Sequence, residues 1–398
     1  MENNLLLIKR VIIKNYKSIP YCDVRLGPLT FLVGRNGAGK SNFLDALSFT
    51  KDALDSGVEH ALRERGGIKK SGDKAAGHPQ NFGMRVEFNL PDGRSCHYAF
   101  EFSSGKAQKI KVKKEQCIIS GKTNSRYFIE NGSITETGKN KETMPPVADD
   151  RLYLPAASAF EDFRAPYDAL RGMRFYNINP DVMRKPQRSD PDILLKKDGA
   201  NIAMITINKD SPEKKIVRDY LNNIADFVTD FKKIDAKGWQ MVEFKQDVKS
   251  QRHPWQFSAQ SMSDGTLRAF GVLTALFQNK KENGLNLPTL IGIEEPETAL
   301  HAIAMDALME ALREASEDRQ IIVTTHSTEL LDCEIDEKCL LPVALKDSET
   351  RIGGLDEGVK KVLIDHLATP GELLRQNQLS PKNLFATKQR AMPLFESN

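Results

Sequence analysis

The stretch Thr30 to Leu44, TFLVGRNGAGKSNFL, constrains the fold of this chain more than any other. Apolar TFLV reads as a strand, the glycines as a turn, and NFLDALSF as the opening of a helix. Gly34 through Ser41 satisfy G-x-x-x-x-G-K-[ST] at each fixed position, in the strand–turn–helix setting that the pattern requires. Gly34, Gly37 and Gly39, with Asn36 and Ala38 between them, let backbone N–H groups converge on phosphate oxygens. The helix entered through Asn42 favours negative charge at its N-terminus. Lys40 is placed to reach the β- and γ-phosphates, and the Ser41 hydroxyl to ligate Mg²⁺.

A loop of this kind needs a second strand that carries acid to the metal. Leu290 to His301, LIGIEEPETALH, supplies an apolar strand that stops at two carboxylates. Alternation along a strand sends neighbouring side chains to opposite faces, so Glu294 and Glu295 are expected to differ in role. One faces the metal and the other the water that attacks phosphate. A further apolar strand, IIVTT, ends at His326, an imidazole beside the expected phosphate site. Ser263, in SMSDGT, reads either as the N-cap of a helix or, with Gly265, as an anion site at that helix's N-terminus.

The order from residue 261 is helix (263–279), strand (289–293), helix (298–315), strand (320–325) and a helix start at 327–332, which is the α/β alternation of a parallel sheet. Residues 82–137 differ: short β-like runs separated by PDG, SSG and SGKT predict an antiparallel meander. Residues 159–235 read as helix-rich, with helical periodicity over 213–232 through Ile216, Tyr220, Ile224, Phe227 and Phe231. VALKDSETRIGGL predicts a hairpin near the end. The expected division is 1–81 (first half of a nucleotide-binding head), 82–150 (β subdomain), 151–255 (helical insertion or lid) and 256–398 (second half of the head).

Lysine and arginine total 57 against 54 acids, a net charge of +3, which does not mark the chain as a nucleic-acid binder. Lys109, Lys111 and Lys113 share one strand face, which reads as a phosphate-tracking face or, more simply, as a solvated one. No apolar run approaches the roughly 20 residues of a membrane span. The start, MENNLLLIKRVIIKNYKSI, reads as a first strand and not as a signal peptide. Five cysteines without a Cys-x-x-Cys pair point to reduced thiols in the cytoplasm.

Gly34–Ser41, SMSDGT, IGIEEPETALH and IIVTTHS stand in the order found in ABC-type ATPases of the RecF, Rad50 and SMC group. The chain resembles most the stand-alone AAA-21-like ATPases of that group. The resemblance implies an α/β P-loop head with an antiparallel β subdomain and a helical insertion, and ATP and Mg²⁺ as cofactors. Ser263 and Gly265 match the signature serine and glycine that close on a γ-phosphate held by a partner subunit. Glu294 matches the metal-site acid, normally aspartate. Glu295 matches the catalytic glutamate and His326 the switch histidine. Pro296 to His301 match a dimer-contact loop, Lys17 stands where a basic residue near the nucleotide is expected, and Gln80 is a positional match to the Q-loop glutamine.

The implied assembly is a homodimer with ATP sandwiched between heads, or a higher oligomer. It would sense or clamp DNA in anti-phage defence or repair, with a separately encoded nuclease or toxin and no membrane. A nucleotide-gated scaffold with little turnover is the alternative. A transporter subunit is disfavoured by the long insertion between Lys40 and Ser263 and by the missing LSGGQ.

Overall fold

The computed structural model describes residues 7–66, 81–104, 110–121, 124–137, 146–148, 150–188, 194–205, 211–225, 228–247, 254–282, 285–382, 384 and 392–396. The chain divides into two units, one of residues 1–173, 336–368 and 376–398, the other of residues 174–335 and 369–375.

The first unit opens with the hairpin β1 (Leu7–Tyr16) and β2 (Ile19–Arg25). Next comes β3 (Leu29–Val33), buried at all five residues. A strand covered on both faces has no reason to alternate, and LTFLV does not. α1 (Lys40–Ser56) and α2 (Val58–Glu64) follow. β4 (Asn81–Asn89), β5 (Ser95–Ser104), β6 (Ile110–Ser120), β7 (Ser125–Glu130) and β8 (Ser133–Thr137) form the expected meander. The sheet also takes in the first hairpin, in the order β2-β1-β4-β5-β6-β7-β8. Its inner face meets α1 through Tyr16, Phe49, Phe82, Phe100 and Phe102, whose nearest rings lie 4.8 Å apart. This aromatic layer seats the helix that leaves the phosphate loop. Short α3 (Leu154–Ala157) and α4 (Glu161–Arg171) close the segment.

The second unit starts at β9 (Arg174–Tyr176), then α5 (Pro180–Met183), β10 (Gln187–Arg188), α6 (Ile202–Ile205) and α7 (Pro212–Ile224). Ser211 caps α7 by accepting from the Lys214 amide, and Pro212 takes the first helical position. The helix stops at Ile224, short of the periodicity read to 232. Phe231 instead lies in β11 (Val228–Ala236), paired to β12 (Trp239–Gln246) across a turn with Lys237 and Gly238 at φ 54° and 81°. A hairpin turn needs those left-handed conformations, and Lys-Gly supplies them. Phe231 fitted the helical period only by continuation. Its ring and that of Phe244 pack on Phe270, 4.7 and 5.2 Å away. The stretch 159–235 read as helix-rich thus contributes β10 and β11 to a sheet, β10-β12-β11, with β13 (Trp255–Ser258) on β12.

α8 (Asp264–Phe277), the small hairpin β14 (Lys280–Glu282) and β15 (Leu285–Leu287), β16 (Leu290–Glu294), α9 (Met305–Asp318), β17 (Gln320–Thr325) and α10 (Thr328–Asp332) give the α/β alternation read from the sequence. β16 pairs in parallel with both β17 and β9. Back in the first unit, β18 (Leu340–Lys346) runs parallel to β3 and turns into antiparallel β19 (Glu349–Ile352), the expected hairpin. α11 (Glu357–Ile364) belongs to the first unit and α12 (Pro370–Arg375) to the second. All five cysteines are free. Among the described residues no helix is long and apolar enough to cross a membrane.

Candidate nucleotide site

In the first unit the loop between β3 and α1 turns through Gly37 and Gly39 at φ 78° and 102°. A tight bond from the Ala38 amide to the Arg35 carbonyl, 3.1 Å, closes it. Lys40 is buried, and its Nζ donates to the Gly34 carbonyl at 2.7 Å and the Arg35 carbonyl at 3.2 Å. The ammonium is therefore held inside the curl of the loop. A Cβ at Gly34 would collide with the Val343 carbonyl, and one at Gly39 with the Thr350 side chain. Nothing stands within 4 Å of a Cβ at Gly37, so that side of the loop is open, and Asn36, Gly37 and Ser41 are exposed.

A hydrogen-bond chain braces the loop from behind. Thr350 Oγ1 donates to the Ala38 carbonyl at 2.9 Å. That leaves it to accept from Ser18 Oγ, 2.6 Å away, which in turn accepts from Asn42 Nδ2 at 2.7 Å. Asn42 thus serves the loop through Ser18. Lys17 Nζ lies 2.5 Å from Asp45 on α1, which Tyr16 (2.6 Å) and Arg65 (2.9 Å) also engage. These partners hold the Asp45 carboxyl below its usual range despite its burial.

In the second unit β16 and β17 deliver the acids and the imidazole. β16 ends at Glu294, and Glu295 has already left the strand at φ 45°. Alternation therefore does not reach Glu295: a left-handed kink aims it, with its amide on the Thr324 carbonyl at 2.9 Å. Such a conformation is costly for a bulky residue and concentrates at functional sites. Its Oε1 lies 3.0 Å from His326 Nδ1. The Arg268 guanidinium donates to the Glu295 carbonyl at 3.3 Å.

Glu297, the third acid of EEPE, is 5% exposed and accepts from Thr325 Oγ1 at 2.6 Å. Its other oxygen has no hydrogen-bond partner among the described residues, and burial pushes its carboxyl above the usual range. Ser263 caps α8, accepting from the Thr266 amide at 3.1 Å. Gly265 lies where a Cβ would strike the Ala299 carbonyl, so the residue is small because the loop after Glu295 packs on it. Asp264 turns away to an ion pair with Arg184. His301 is exposed, and Ile303 beside it is 91% exposed.

The profile of the family described as "AAA domain, putative AbiEii toxin, Type IV TA system" matches residues 29–332. The chain belongs to this family. As an AAA-domain protein of this kind it also has the fold of SMC heads. The SMC head bound to the C-winged helix domain of ScpA matches with a TM-score of 0.52 and 13% identity, over 89% of this chain and 99% of that one. The SMC head with an extended coiled coil, bound to the C-terminal domain of ScpA and derived from Pyrococcus furiosus, gives 0.52 and 13%, over 92% and 100%. No curated protein matches the chain. The resemblance to ABC-type heads is borne out at the level of family and fold.

Within this AAA-domain frame the structure gathers Gly34 to Asn42 in one unit and Ser263, Gly265, Glu294, Glu295 and His326 in the other. In the first unit an enclosed ammonium at Lys40, an open glycine curl at Gly37 and an exposed Ser41 hydroxyl make a donor set that fits a magnesium triphosphate. Among the described residues no cluster of three His, Cys, Asp or Glu could hold a metal alone. A magnesium held largely by phosphate and water needs none.

On the lysine face of β6, Lys113 meets Glu101, and its neighbour Lys114 meets Glu130. Gln80 and Lys109 lie outside the described residues. Thr350 and Ser18 carry no local sequence signal for their place behind the loop, and Glu297 falls in the run Pro296 to His301, matched to a dimer contact and not to a buried acid.

Proposed function

We propose that this protein binds and hydrolyses Mg-ATP as a head-to-head dimer, and that the cycle gates the sensing or clamping of DNA, in defence or repair, with a separately encoded effector. The observation that carries the catalytic part is the 3.0 Å contact between Glu295 and His326 at the ends of two parallel strands. A carboxylate kinked out of its strand and oriented by an imidazole is suited to take a proton from water. Bound Mg-ATP would supply the phosphoanhydride and a dication that neutralises its charge, held by Ser41 and Glu294. Lys40 would exchange the Gly34 and Arg35 carbonyls for phosphate oxygens. Ser263 and Gly265 would act on nucleotide held by a second copy.

Three things support a partner-controlled role. The family description names a toxin–antitoxin system. Both SMC heads of like fold are bound to ScpA domains. Ile303 leaves an apolar side chain 91% exposed in the loop after the catalytic acids.

Steady-state ATPase assays of wild type and Glu295→Gln test the reading. Loss of a general base predicts a fall of roughly 100-fold or more with nucleotide binding retained. Equal rates in the two proteins would remove Glu295 from the chemistry.

A further inference from the structure

The outer face of the seven-stranded sheet carries a built site, and the segment Met392–Glu396, MPLFE, lies on it. The strands are not extended by this segment; it crosses them. The Met392 amide donates to Tyr21 Oη on β2 at 3.0 Å. Arg85 on β4 donates to the Pro393 and Leu394 carbonyls, at 3.4 and 3.5 Å. His97 Nε2 on β5 lies 3.1 Å from the Leu394 carbonyl. Gln116 on β6 brackets Glu396, accepting from its amide at 3.0 Å and donating to its carbonyl at 3.4 Å. Phe395 meets Phe128 on β7, ring centroids 5.9 Å apart. An extended pentapeptide is about 14 Å long, close to the width of the four strands from β4 to β7.

Three features mark recognition. First, Arg85, Ala99, Gln116 and Phe128 stand in one cross-strand row on this face. Arg85, His97 and Gln116 are each at most 9% exposed, so the segment covers polar side chains that a bare sheet face would leave in water. Second, Gly83 interrupts a strand flanked on both sides, where glycine weakens a sheet. A Cβ there would collide with Leu394 Cδ1, and Leu394 is 3% exposed. The glycine is the floor of a leucine pocket. Third, the Glu396 carboxylate accepts from Arg85 Nη2 at 3.1 Å, and His97 Nδ1 lies 3.2 Å from the same oxygen. The segment is not a strand of this sheet, and among the described residues the bonds that seat it come from side chains of the sheet.

We propose that this face is a docking site for a separate protein carrying a short Pro-Leu-aromatic-acid segment, and that residues 392–396 of the same chain occupy it until displaced. The seated segment defines the ligand chemistry: a leucine for the Gly83 pocket, an aromatic for Phe128, a backbone carbonyl at the leucine for His97, and an acid two residues after the leucine for Arg85. The site does not depend on ATP chemistry.

The test uses the full chain carrying Leu394→Asp and a fluorescein-labelled synthetic peptide, AMPLFESN, followed by anisotropy. Expected is saturable binding to the L394D chain, and binding about 10-fold weaker to wild type, where the chain's own segment competes. Adding Arg85→Glu abolishes binding, and a peptide with arginine in place of its glutamate restores it. Gly83→Val fills the pocket and also abolishes binding. If L394D does not fold, Glu396→Arg, which keeps the leucine anchor, replaces it. A natively folded L394D or E396R chain with no saturable binding up to millimolar peptide overturns the proposal. Equal binding of a peptide whose leucine is replaced by aspartate does the same. A change in the association state of wild type on adding peptide would show that the segment comes from a second copy, and would overturn the assignment to the same chain.

Discussion

At the scale of single residues, the phosphate loop shows what a local pattern can and cannot carry. Gly34 to Asn42 were legible because nine consecutive residues hold the chemistry, and each glycine has a geometric reason. Thr350 was not legible. It meets the Ala38 carbonyl across 312 positions, and no periodicity or spacing records such a contact. Glu295 was read for the wrong geometric reason, since a left-handed kink directs it and strand alternation does not. Thr350→Val keeps the shape and removes the hydroxyl, which leaves the buried Ala38 carbonyl and Ser18 without their partner. A lost buried hydrogen bond of this kind costs about 1–3 kcal/mol, so affinity for a fluorescent ATP analogue should fall by about 10-fold or more with the fold intact. Gly39→Ala adds a left-handed alanine and a collision with the same threonine, and should abolish binding. Wild-type titration curves for both variants would rule out this brace.

At the scale of elements, most strands and helices of the two parallel stretches were legible, because buried strands of five or six apolar residues alternate with amphipathic helices. The β11–β12 hairpin was hidden behind a helical period that Phe231 extended by coincidence. The sheet of the first unit holds another device that no local signal announces. Glu115 on β6 is fully buried and takes four donors: Tyr127 Oη (2.7 Å), Tyr98 Oη (3.1 Å), and the Leu154 (2.9 Å) and Tyr153 (2.5 Å) amides at the start of α3. It ties three strands to the segment that follows the meander. Burial raises its pKa above the ordinary glutamate value, although the four donors oppose that shift. A raised folded pKa means stability present at low pH and lost as pH rises from the unfolded value through the folded one. Urea unfolding of wild type and Glu115→Gln should show the difference between them shrinking as pH rises above the ordinary glutamate range. A difference that grows with pH would place the folded pKa below the unfolded one. Glu115→Ala, which leaves two backbone amides and two hydroxyls unmatched, should cost about 3 kcal/mol or more.

At the scale of the whole molecule, the proposed assembly makes a demand that no single chain can meet. Lys40 is enclosed by its own loop, whereas Ser263 is exposed and spends its hydroxyl on capping α8, as an isolated helix start would. Capping explains Ser263 by itself. What capping does not explain is the run from Thr298 to Ile303, exposed except at half-buried Leu300, which packs on Gly265 through Ala299 and leaves the Ile303 side chain in solvent. If two heads close on shared nucleotide, each site takes Lys40 from one copy and Ser263 from the other. Lys40→Ala homodimers and Ser263→Arg homodimers should then both be inactive. An equimolar mixture should recover about a quarter of wild-type turnover, because half of the dimers are mixed and each mixed dimer holds one intact site. Mass spectrometry of differently tagged copies verifies the mixed species. Mixed dimers without activity would confine Ser263 to its capping role. Full activity in the Ser263→Arg homodimer would sink the shared site altogether, and would leave hydrolysis to the residues of one copy.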